Sequence, residues 1–309
     1  MDPQMRAGDA KLSEPAPALL AALPVQVYDI CGPIQVEVVM LRRFVLALFL
    51  FIAAGSARAV VSYTDIYSTP SEPGWGVFLV QSDTFQFLAF YIYGADGTPT
   101  WYTAQLTLDP GTGNYVGGLY ASTGTYFPLP WNPAIQHTTN AGTVVFAPID
   151  IYHATLTYTL TGGPTVVKPV QRFALTPLVL SGTYSGSAVG SAAGCTNPAN
   201  NNTSLKSRYN LTVAQNGDTS ASLTFTFVDT TYTGMVCTVS GPVAHMGLLY
   251  QMTNAQYTCT GGPGGFTPGA GSRATIDSFH PTGQGIEGRW SAVTSDGCTQ
   301  SIHFGAVLY

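Results

Sequence analysis

The feature that most constrains the fold is a regular alternation of apolar and polar side chains next to the dipeptide Asn216-Gly217. From residue 221 to residue 227, apolar side chains occupy every odd position and Ser or Thr every even one. Such alternation predicts a half-buried strand, and Asn-Gly tolerates the positive φ of a tight hairpin turn. Similar runs recur along the chain between short turns. The sequence therefore predicts an all-β protein built from antiparallel strands.

The last part of the chain contains enough strand-like runs for a barrel of its own. An opening run at 181–187 is followed by the hairpin and by further runs that continue to residue 308, about eight strands in all. Short antiparallel strands in this number suit a small up-and-down barrel, an architecture like that of lipocalins or avidin. We therefore predict a disulfide-bonded β-barrel domain over residues 179–309.

Residues 60–178 form the other predicted domain. Runs at 75–81, 85–93, 101–108 and 154–160 have the composition and length of strands. The run at 85–93 is apolar on both faces, which favours a central strand that is buried on both sides. Tight turns separate the runs, so we predict an antiparallel meander that closes into a barrel or packs as a sandwich.

Several stretches of this first domain occur in a distinctive order. A Gly-Trp-Gly step at 74–76 is followed by YGADGTPTWY at 93–102 and YVGGLYASTG at 115–124, and ATLTYTLTGGPTVVKPVQRF ends the series at 154–173. In this order and spacing the domain resembles a family of uncharacterised secreted proteobacterial proteins. The resemblance implies a secreted protein. It carries over no reaction, because that family has no established activity and no assigned catalytic residues.

Residues 40–59 have the layout of a secretory signal peptide. A pair of arginines begins the segment, an apolar run follows at 44–55, and Ala57 and Ala59 have the spacing of a cleavage site. As a helix the apolar run would span only about 18 Å, well short of a ~30 Å bilayer core, which disfavours the alternative of an uncleaved anchor. We predict that the mature chain begins at Val60, is secreted or periplasmic, and has no membrane span after cleavage.

The segment before the predicted signal peptide, residues 1–39, does not fit this layout. A signal peptide normally starts a chain, and Met40 stands directly before the basic head. The scattered prolines and apolar residues of the segment match no regular element. We interpret residues 1–39 either as an upstream extension that is not part of the protein or as a disordered N-terminal segment.

Cysteine usage agrees with export. The predicted mature chain contains Cys195, Cys237, Cys259 and Cys298, an even number, with no CxxC pair among them. In an oxidising compartment such cysteines are expected to form two disulfides, whereas zinc sites use closely spaced pairs, so no metal site is expected. Of the three possible pairings, Cys195–Cys237 with Cys259–Cys298 is slightly favoured.

Composition and motif content disfavour several classes of function. Charged residues make up 9% of the chain, the formal net charge is −5, and no basic stripe exists, so nucleic acid is not an expected partner. A GxGxxG pattern at 283–288 lacks a following helix and a βαβ unit, so no dinucleotide or other cofactor is expected. The sequence also lacks the HExxH and GxSxG patterns.

The densest group of titratable residues is Asp277, His280, Glu287 and Arg289, on two neighbouring predicted strands. Two carboxylates near a histidine can perform general acid–base catalysis, which makes Asp277, His280 and Glu287 the candidate catalytic residues. The same residues also suit a merely solvated strand face. Because most mechanisms need titratable groups with a tuned pKa, the scarcity of charge elsewhere favours a protein that is not an enzyme.

Tryptophans offer a different kind of site, because aromatic faces stack on sugar rings. Trp75 and Trp101 occupy predicted strand positions, where a core location is expected. Trp131 lies in the loop sequence PLPWNP and is therefore the candidate ligand-binding residue.

These observations lead to three hypotheses about function, one of which is a purely structural role in an envelope or appendage. The favoured one is a non-catalytic binding or surface-interaction protein, whose ligand is a glycan, an envelope polymer or a small apolar molecule in a barrel. Exposed, clustered aromatic residues at one end of a domain would support it. The alternative is an extracellular hydrolase that acts on envelope or extracellular polymer, which requires Asp277, His280 and Glu287 to converge in a cleft.

Overall fold

The computed structural model describes residues 61–262, 268–269 and 271–309. The predicted signal peptide at 40–59 and the segment 1–39 before it lie outside the described residues. Residues 60–309 form one compact unit, which contains two closed antiparallel barrels. No helix among the described residues has the length and apolar character needed to span a bilayer.

Eight strands form the first barrel, and each pairs with the next along the chain. The barrel closes where the last strand pairs with the first, through Tyr67 with Arg172 and Ser68 with Gln171. The strands are β1 (Asp65–Ser68), β2 (Gly76–Ser82), β3 (Phe85–Tyr93), β4 (Pro99–Leu108), β5 (Tyr115–Thr123), β6 (His137–Pro148), β7 (His153–Leu160) and β8 (Thr165–Arg172), with a short 3₁₀ helix (Pro133–Ile135) between β5 and β6.

The second barrel also has eight strands in its closed sheet, and a ninth, short strand pairs at its edge. The ring closes through the pairing of β9 with β17 and of β12 with β14. The strands are β9 (Gly182–Ala193), β10 (Asn202–Asn216), β11 (Ser220–Phe227), β12 (Val236–Pro242), β13 (Ala244–Met246), β14 (Leu249–Thr260), β15 (Arg273–Thr282), β16 (Gly285–Val293) and β17 (Thr299–Leu308), with a 3₁₀ helix (Pro198–Asn200) between β9 and β10. The predicted all-β fold with an eight-stranded barrel is confirmed.

Alternation along each strand sets which side chains fill the two barrels. On β11 the odd positions from Ala221 to Phe227 are buried, while Ser222, Thr224 and Thr226 are only partly covered. The prediction for the run 85–93 was wrong in one respect, because its odd positions, from Phe85 onward, face outward and only the even positions are covered. A closed barrel has a single interior, so each strand can bury only one of its two faces.

Both disulfides join strands that are neighbours in the barrel, and the favoured pairing was wrong. Cys237 bonds to Cys259, directly across the β12–β14 ladder. Cys195 bonds to Cys298, which joins the chain just after β9 to the chain just before β17. The first and last strands of a closed barrel are adjacent, so cysteines 103 positions apart in sequence meet there.

The first barrel contacts the second at the seam where β1 meets β8. Arg172, only 3% exposed, donates from Nη1 to Asp65 Oδ2 over 2.9 Å. The backbone N–H of Leu248, in the β13–β14 turn of the second barrel, donates to the same carboxylate oxygen over 2.8 Å. The remaining guanidinium bonds go to the backbone carbonyls of Ser62, Thr64 and Ile151. The carboxylate of a buried ion pair in the first barrel thus accepts a hydrogen bond from the second barrel.

A second contact between the barrels lies nearby. The N–H of Ser278, on β15, donates to the hydroxyl oxygen of Tyr152 over 3.0 Å. Tyr152 is buried in the β6–β7 turn, and burial raises the pKa of its hydroxyl to about 12. The hydroxyl is therefore protonated at neutral pH, and the contact does not depend on pH in that range.

Replacing Gly247 with alanine is expected to destabilise this junction strongly. Gly247 has a φ of +63°, and a Cβ there would overlap the Asp65 carboxylate and lie 2.8 Å from Arg172 Cβ. Gly217 is the matched control, because its φ is +53° and an added Cβ would meet nothing within 4 Å. Left-handed strain alone costs about 1–2 kcal/mol in either variant. Gly247→Ala should lose at least about 2 kcal/mol more in urea unfolding, because the bonds of Asp65 are displaced. Equal losses in the two variants would contradict the close packing of Gly247 against Asp65.

Candidate binding surface on the first barrel

The outward face of β2, β3 and β4 carries a group of large apolar side chains that remain exposed. These side chains, here called the aromatic strip, are Phe78, Val80, Phe85, Phe87, Tyr91, Tyr93 and Trp101. Scattered surface apolar residues are normal in proteins, whereas a contiguous patch is typical of an interaction site.

The sheet register makes the aromatic strip continuous. Tyr91 lies between Gly76 on β2 and Trp101 on β4, and Phe87 lies opposite Val80. The rings of Phe78 and Tyr91 are in contact, with centroids 5.2 Å apart. Gly76 makes room for the Tyr91 hydroxyl, which would overlap a Cβ at that position. At ~3.4 Å per residue, the part of the strip along β3 is about 27 Å long.

The aromatic strip is also uncharged. The outward positions of β2, β3 and β4 are all described, and none of them carries Asp, Glu, Lys, Arg or His. Polar groups border the strip on β4, where Gln105 and Thr107 are exposed beside Phe87 and Phe85. A ligand that matches this surface is therefore neutral, and its binding should respond little to salt.

The loop between β5 and β6 presents a second set of exposed apolar side chains. Residues 125–135, here called the apolar finger, contain Phe127, which is 98% exposed, and Trp131, which is 67% exposed. Tyr126, Leu129 and Ile135 are exposed as well. Trp131 thus lies at the surface, where a ligand-binding aromatic residue has to be.

Hydrogen bonds within the apolar finger fix its shape. The N–H of Asn132 donates to Thr125 Oγ1 over 2.8 Å, and the Thr125 hydroxyl donates to the Asn132 carbonyl over 3.2 Å. The N–H of Leu129 donates to the Tyr126 carbonyl, and Asn132 Oδ1 caps the short 3₁₀ helix by accepting from Ala134 N. The finger therefore presents its apolar side chains in a defined arrangement.

The apolar finger and one end of the aromatic strip lie at the same end of the barrel. Thr103 on β4 pairs with Tyr120 on β5, and the two strands are antiparallel. The direction along β4 from Thr103 to Trp101 is therefore the same as the direction along β5 from Tyr120 to the apolar finger. Exposed aromatic residues are thus clustered at this end of the first barrel.

The other two tryptophans of this barrel differ from each other. Trp101 is 57% exposed, so the expectation that it belongs to the core was wrong. The side chains of β4 that point into the barrel are those at even-numbered positions, such as Ala104 and Leu106, so Trp101 points outward.

Trp75 is partly buried against the core, and its indole N–H donates to Glu72 Oε2. Lys168 donates to the same oxygen over 2.6 Å, which holds the pKa of Glu72 below its usual value.

The candidate catalytic residues of the second barrel form two cross-strand pairs. Asp277 Oδ1 accepts from Arg289 Nε over 2.6 Å and also from the Ser278 hydroxyl. His280 Nε2 lies 3.1 Å from Glu287 Oε1, and its Nδ1 lies 2.8 Å from the Ser278 carbonyl. Each residue thus pairs with the one opposite it on β15 or β16. Pairs of this kind, between side chains directly opposite on neighbouring strands, are common on the surfaces of antiparallel sheets.

A cluster that the sequence did not suggest lies at the turn after β10. Tyr250 donates its hydroxyl to Asp218 Oδ1 over 2.5 Å, and His245 Nδ1 lies 2.9 Å from Asp218 Oδ2. The His245 ring stacks on Tyr250, and its Nε2 is buried without a partner among the described residues. Burial alone would raise the pKa of Asp218, but the bonds from Tyr250 and His245 outweigh it and lower that pKa. His245 pairs with Tyr250 across the β13–β14 hairpin, and Asp218 lies beside them because the β11–β12 ladder continues to the hydrogen bond from Val243 N–H to the Thr219 carbonyl.

One further group has the geometry of metal ligands. A carboxylate oxygen of Asp296 lies within 4.8 Å of the sulfur atoms of Cys195 and Cys298. The two sulfurs are bonded to each other, so they offer no thiolate to a metal ion. The arrangement is a disulfide beside a carboxylate, and it does not provide a ligand set.

The chain matches no protein-family model, and no curated protein sequence is significantly similar to it. The resemblance of the first barrel to secreted proteobacterial proteins therefore stays a prediction. Any proposal about function therefore rests on the surfaces of the molecule itself.

Proposed function

We propose that this is a non-catalytic binding protein that holds a neutral, extended glycan polymer on the first barrel. The observation that carries the proposal is the aromatic strip, a contiguous and uncharged row of exposed rings about 27 Å long at ~3.4 Å per residue. A small ligand would need a pocket, whereas an elongated open surface suits a chain of repeating units.

The chemistry of the strip suits sugars. Aromatic rings offer flat apolar faces on which the apolar faces of sugar rings can stack. Gln105 and Thr107 border these rings and can exchange hydrogen bonds with sugar hydroxyls. The absence of charge on the outward positions of β2, β3 and β4 favours a neutral glycan over an acidic one. The apolar finger, with Trp131, would extend the contact beyond Trp101.

The proposed compartment is the periplasm or the exterior of the cell. Two disulfides are compatible with an oxidising compartment. A glycan or envelope polymer at a cell surface is available to a protein in either location. The predicted signal peptide at 40–59 and the family resemblance point the same way.

Single substitutions in the aromatic strip are expected to weaken glycan binding. Trp101→Ala, Tyr91→Ala and Phe87→Ala should each lower the affinity about 10-fold, because each removes roughly 1.4 kcal/mol of ring contact. Val307→Ala is the matched control, since Val307 is an exposed outward residue on β17 of the second barrel. The measurement is affinity electrophoresis with soluble neutral polysaccharides, together with sedimentation onto insoluble glycans and isolated cell walls.

The outcomes separate this proposal from its rivals. Retention of the wild type by none of these polymers would contradict it, as would equal retention of the wild type and all three strip variants. Strip variants that lose a dimer in sedimentation velocity would show instead that the strip joins two copies of the chain. Release of reducing ends by the wild type would favour the hydrolase hypothesis over a binding protein.

A further inference from the structure

The interior of the second barrel contains a cavity, and several of the polar side chains that line it have no hydrogen-bond partner among the described residues. Ser207 Oγ, Trp290 Nε1 and Gln300 Oε1 are buried and accept or donate no hydrogen bond within the described part of the chain. They belong to β10, β16 and β17, and all three residues line the same cavity. Buried polar atoms are nearly always paired, so three unpaired ones around one space indicate that something else occupies it.

The walls of this cavity are mostly aromatic. The rings of Phe225 and Trp290 are 5.3 Å apart between centroids, and those of Tyr257 and Trp290 are 5.0 Å apart. Ala188 on β9 faces them with a small side chain, which leaves the space open. None of the residues that line the cavity is charged. A charged molecule would lose its hydration there without compensation, so the occupant is neutral.

We propose that this cavity binds a small uncharged molecule that combines one aromatic ring with one hydroxyl group, the class to which phenol belongs. A hydroxyl oxygen can accept from the Trp290 N–H, and its proton can be donated to Gln300 Oε1 or to Ser207 Oγ. The ring would then lie among the aromatic walls. The site is separate from the aromatic strip, and the proposal does not depend on glycan binding.

Without movement of its wall, the cavity is smaller than one aromatic ring. The open space is ≈ 30 Å³, which holds about two water molecules. A ring needs more room than this, so the wall has to move when the ring binds. Met235, which lines the cavity, is suited to this because a thioether side chain is unbranched and adaptable. A larger ligand would require the barrel itself to open.

The test is a titration of the full chain with phenol, and with toluene as the matched probe that lacks the hydroxyl. Isothermal titration calorimetry should show saturable phenol binding, with toluene at least about 10-fold weaker, because toluene leaves the polar groups unpaired. The chain has four tryptophans, so four indole N–H signals are expected in a ¹⁵N–¹H spectrum. Phenol should shift the Trp290 signal, assigned with Trp290→Phe, and leave those of Trp75, Trp101 and Trp131 unchanged.

Two variants locate the site. Gln300→Met removes the acceptor and keeps the length of the side chain, so it should weaken phenol about 10-fold and leave toluene binding unchanged. Ala188→Leu fills the cavity and should abolish both. Circular dichroism establishes that each variant is folded, and Trp101→Ala, which alters the aromatic strip, should bind phenol like the wild type.

The proposal is overturned if the folded wild type shows no saturable phenol binding, in which case the cavity holds water only. It is also overturned if Gln300→Met binds phenol as tightly as the wild type, or if the Trp290 signal does not move. Loss of phenol binding in Trp101→Ala would place the phenol site on the strip rather than in the cavity. Failure of glycan binding alone would leave these results unaffected.

Discussion

Replacing Arg172 with alanine is expected to lower the free energy of unfolding by about 3–5 kcal/mol, the range for breaking a buried ion pair. The guanidinium donates to the Asp65 carboxylate and to three backbone carbonyls, and all of these acceptors would lose a partner together. The Asp65 charge would then be buried without its counter-ion. Urea unfolding followed by tryptophan fluorescence measures the loss.

Arg208→Ala is the control for this prediction, because Arg208 is exposed on β10 and removal of its charge should change stability by less than about 0.5 kcal/mol. The double variant Asp65→Asn/Arg172→Met should recover part of the loss, because it leaves no unpaired charge. Similar unfolding midpoints for Arg172→Ala and Arg208→Ala would show that the ion pair does not hold the seam. Destabilisation by the double variant equal to that of Arg172→Ala would show that lost packing, and not charge, dominates.

Removing the two disulfides is expected to have unequal effects. The Cys195–Cys298 bond closes a loop of 103 residues and the Cys237–Cys259 bond one of 22. In the chain-entropy description the first contributes about 4.7 kcal/mol and the second about 3.4 kcal/mol, because a longer loop loses more freedom in the unfolded chain. Cys195→Ala/Cys298→Ala should therefore unfold at a lower urea concentration than Cys237→Ala/Cys259→Ala.

Each double variant serves as the control for the other, since both remove two sulfur atoms from the ends of neighbouring strands. In a chain that begins at Val60, and therefore lacks Cys31, the number of free thiols in denaturant should be zero in each variant, which establishes that the remaining disulfide has formed. A larger loss for Cys237→Ala/Cys259→Ala would contradict the entropic reasoning. It would indicate that the bond across β12 and β14 acts through the native barrel instead.

The sequence was informative wherever local chemistry decides the structure. Alternation from residue 221 to residue 227 predicted which side chains of β11 are buried, because a strand has only two faces. The prolines around Trp131 predicted an exposed loop, because proline lacks the N–H that a sheet ladder needs.

Features that depend on closure of the sheet could not be predicted in this way. A run such as 85–93 has the same pattern in a strand buried on both sides as in a barrel strand with an exposed aromatic face. The sequence pattern therefore could not predict that the side chains of the aromatic strip are exposed. The pairing of Cys195 with Cys298 likewise follows from which strands meet last, and spacing along the chain contains no information about that.

The seam of the first barrel has a consequence for the behaviour of the molecule in crowded solutions. β1 has four residues and pairs with β8 through two residue pairs and with β2 through three, so it is the strand of the first barrel with the fewest ladder contacts to lose. If it detached, β2 and β8 would each present an unpaired edge able to recruit a strand from another molecule. The Leu248 N–H that binds Asp65 holds β1 in place. We therefore expect contact with the second barrel to lower the tendency of the first to polymerise edge to edge.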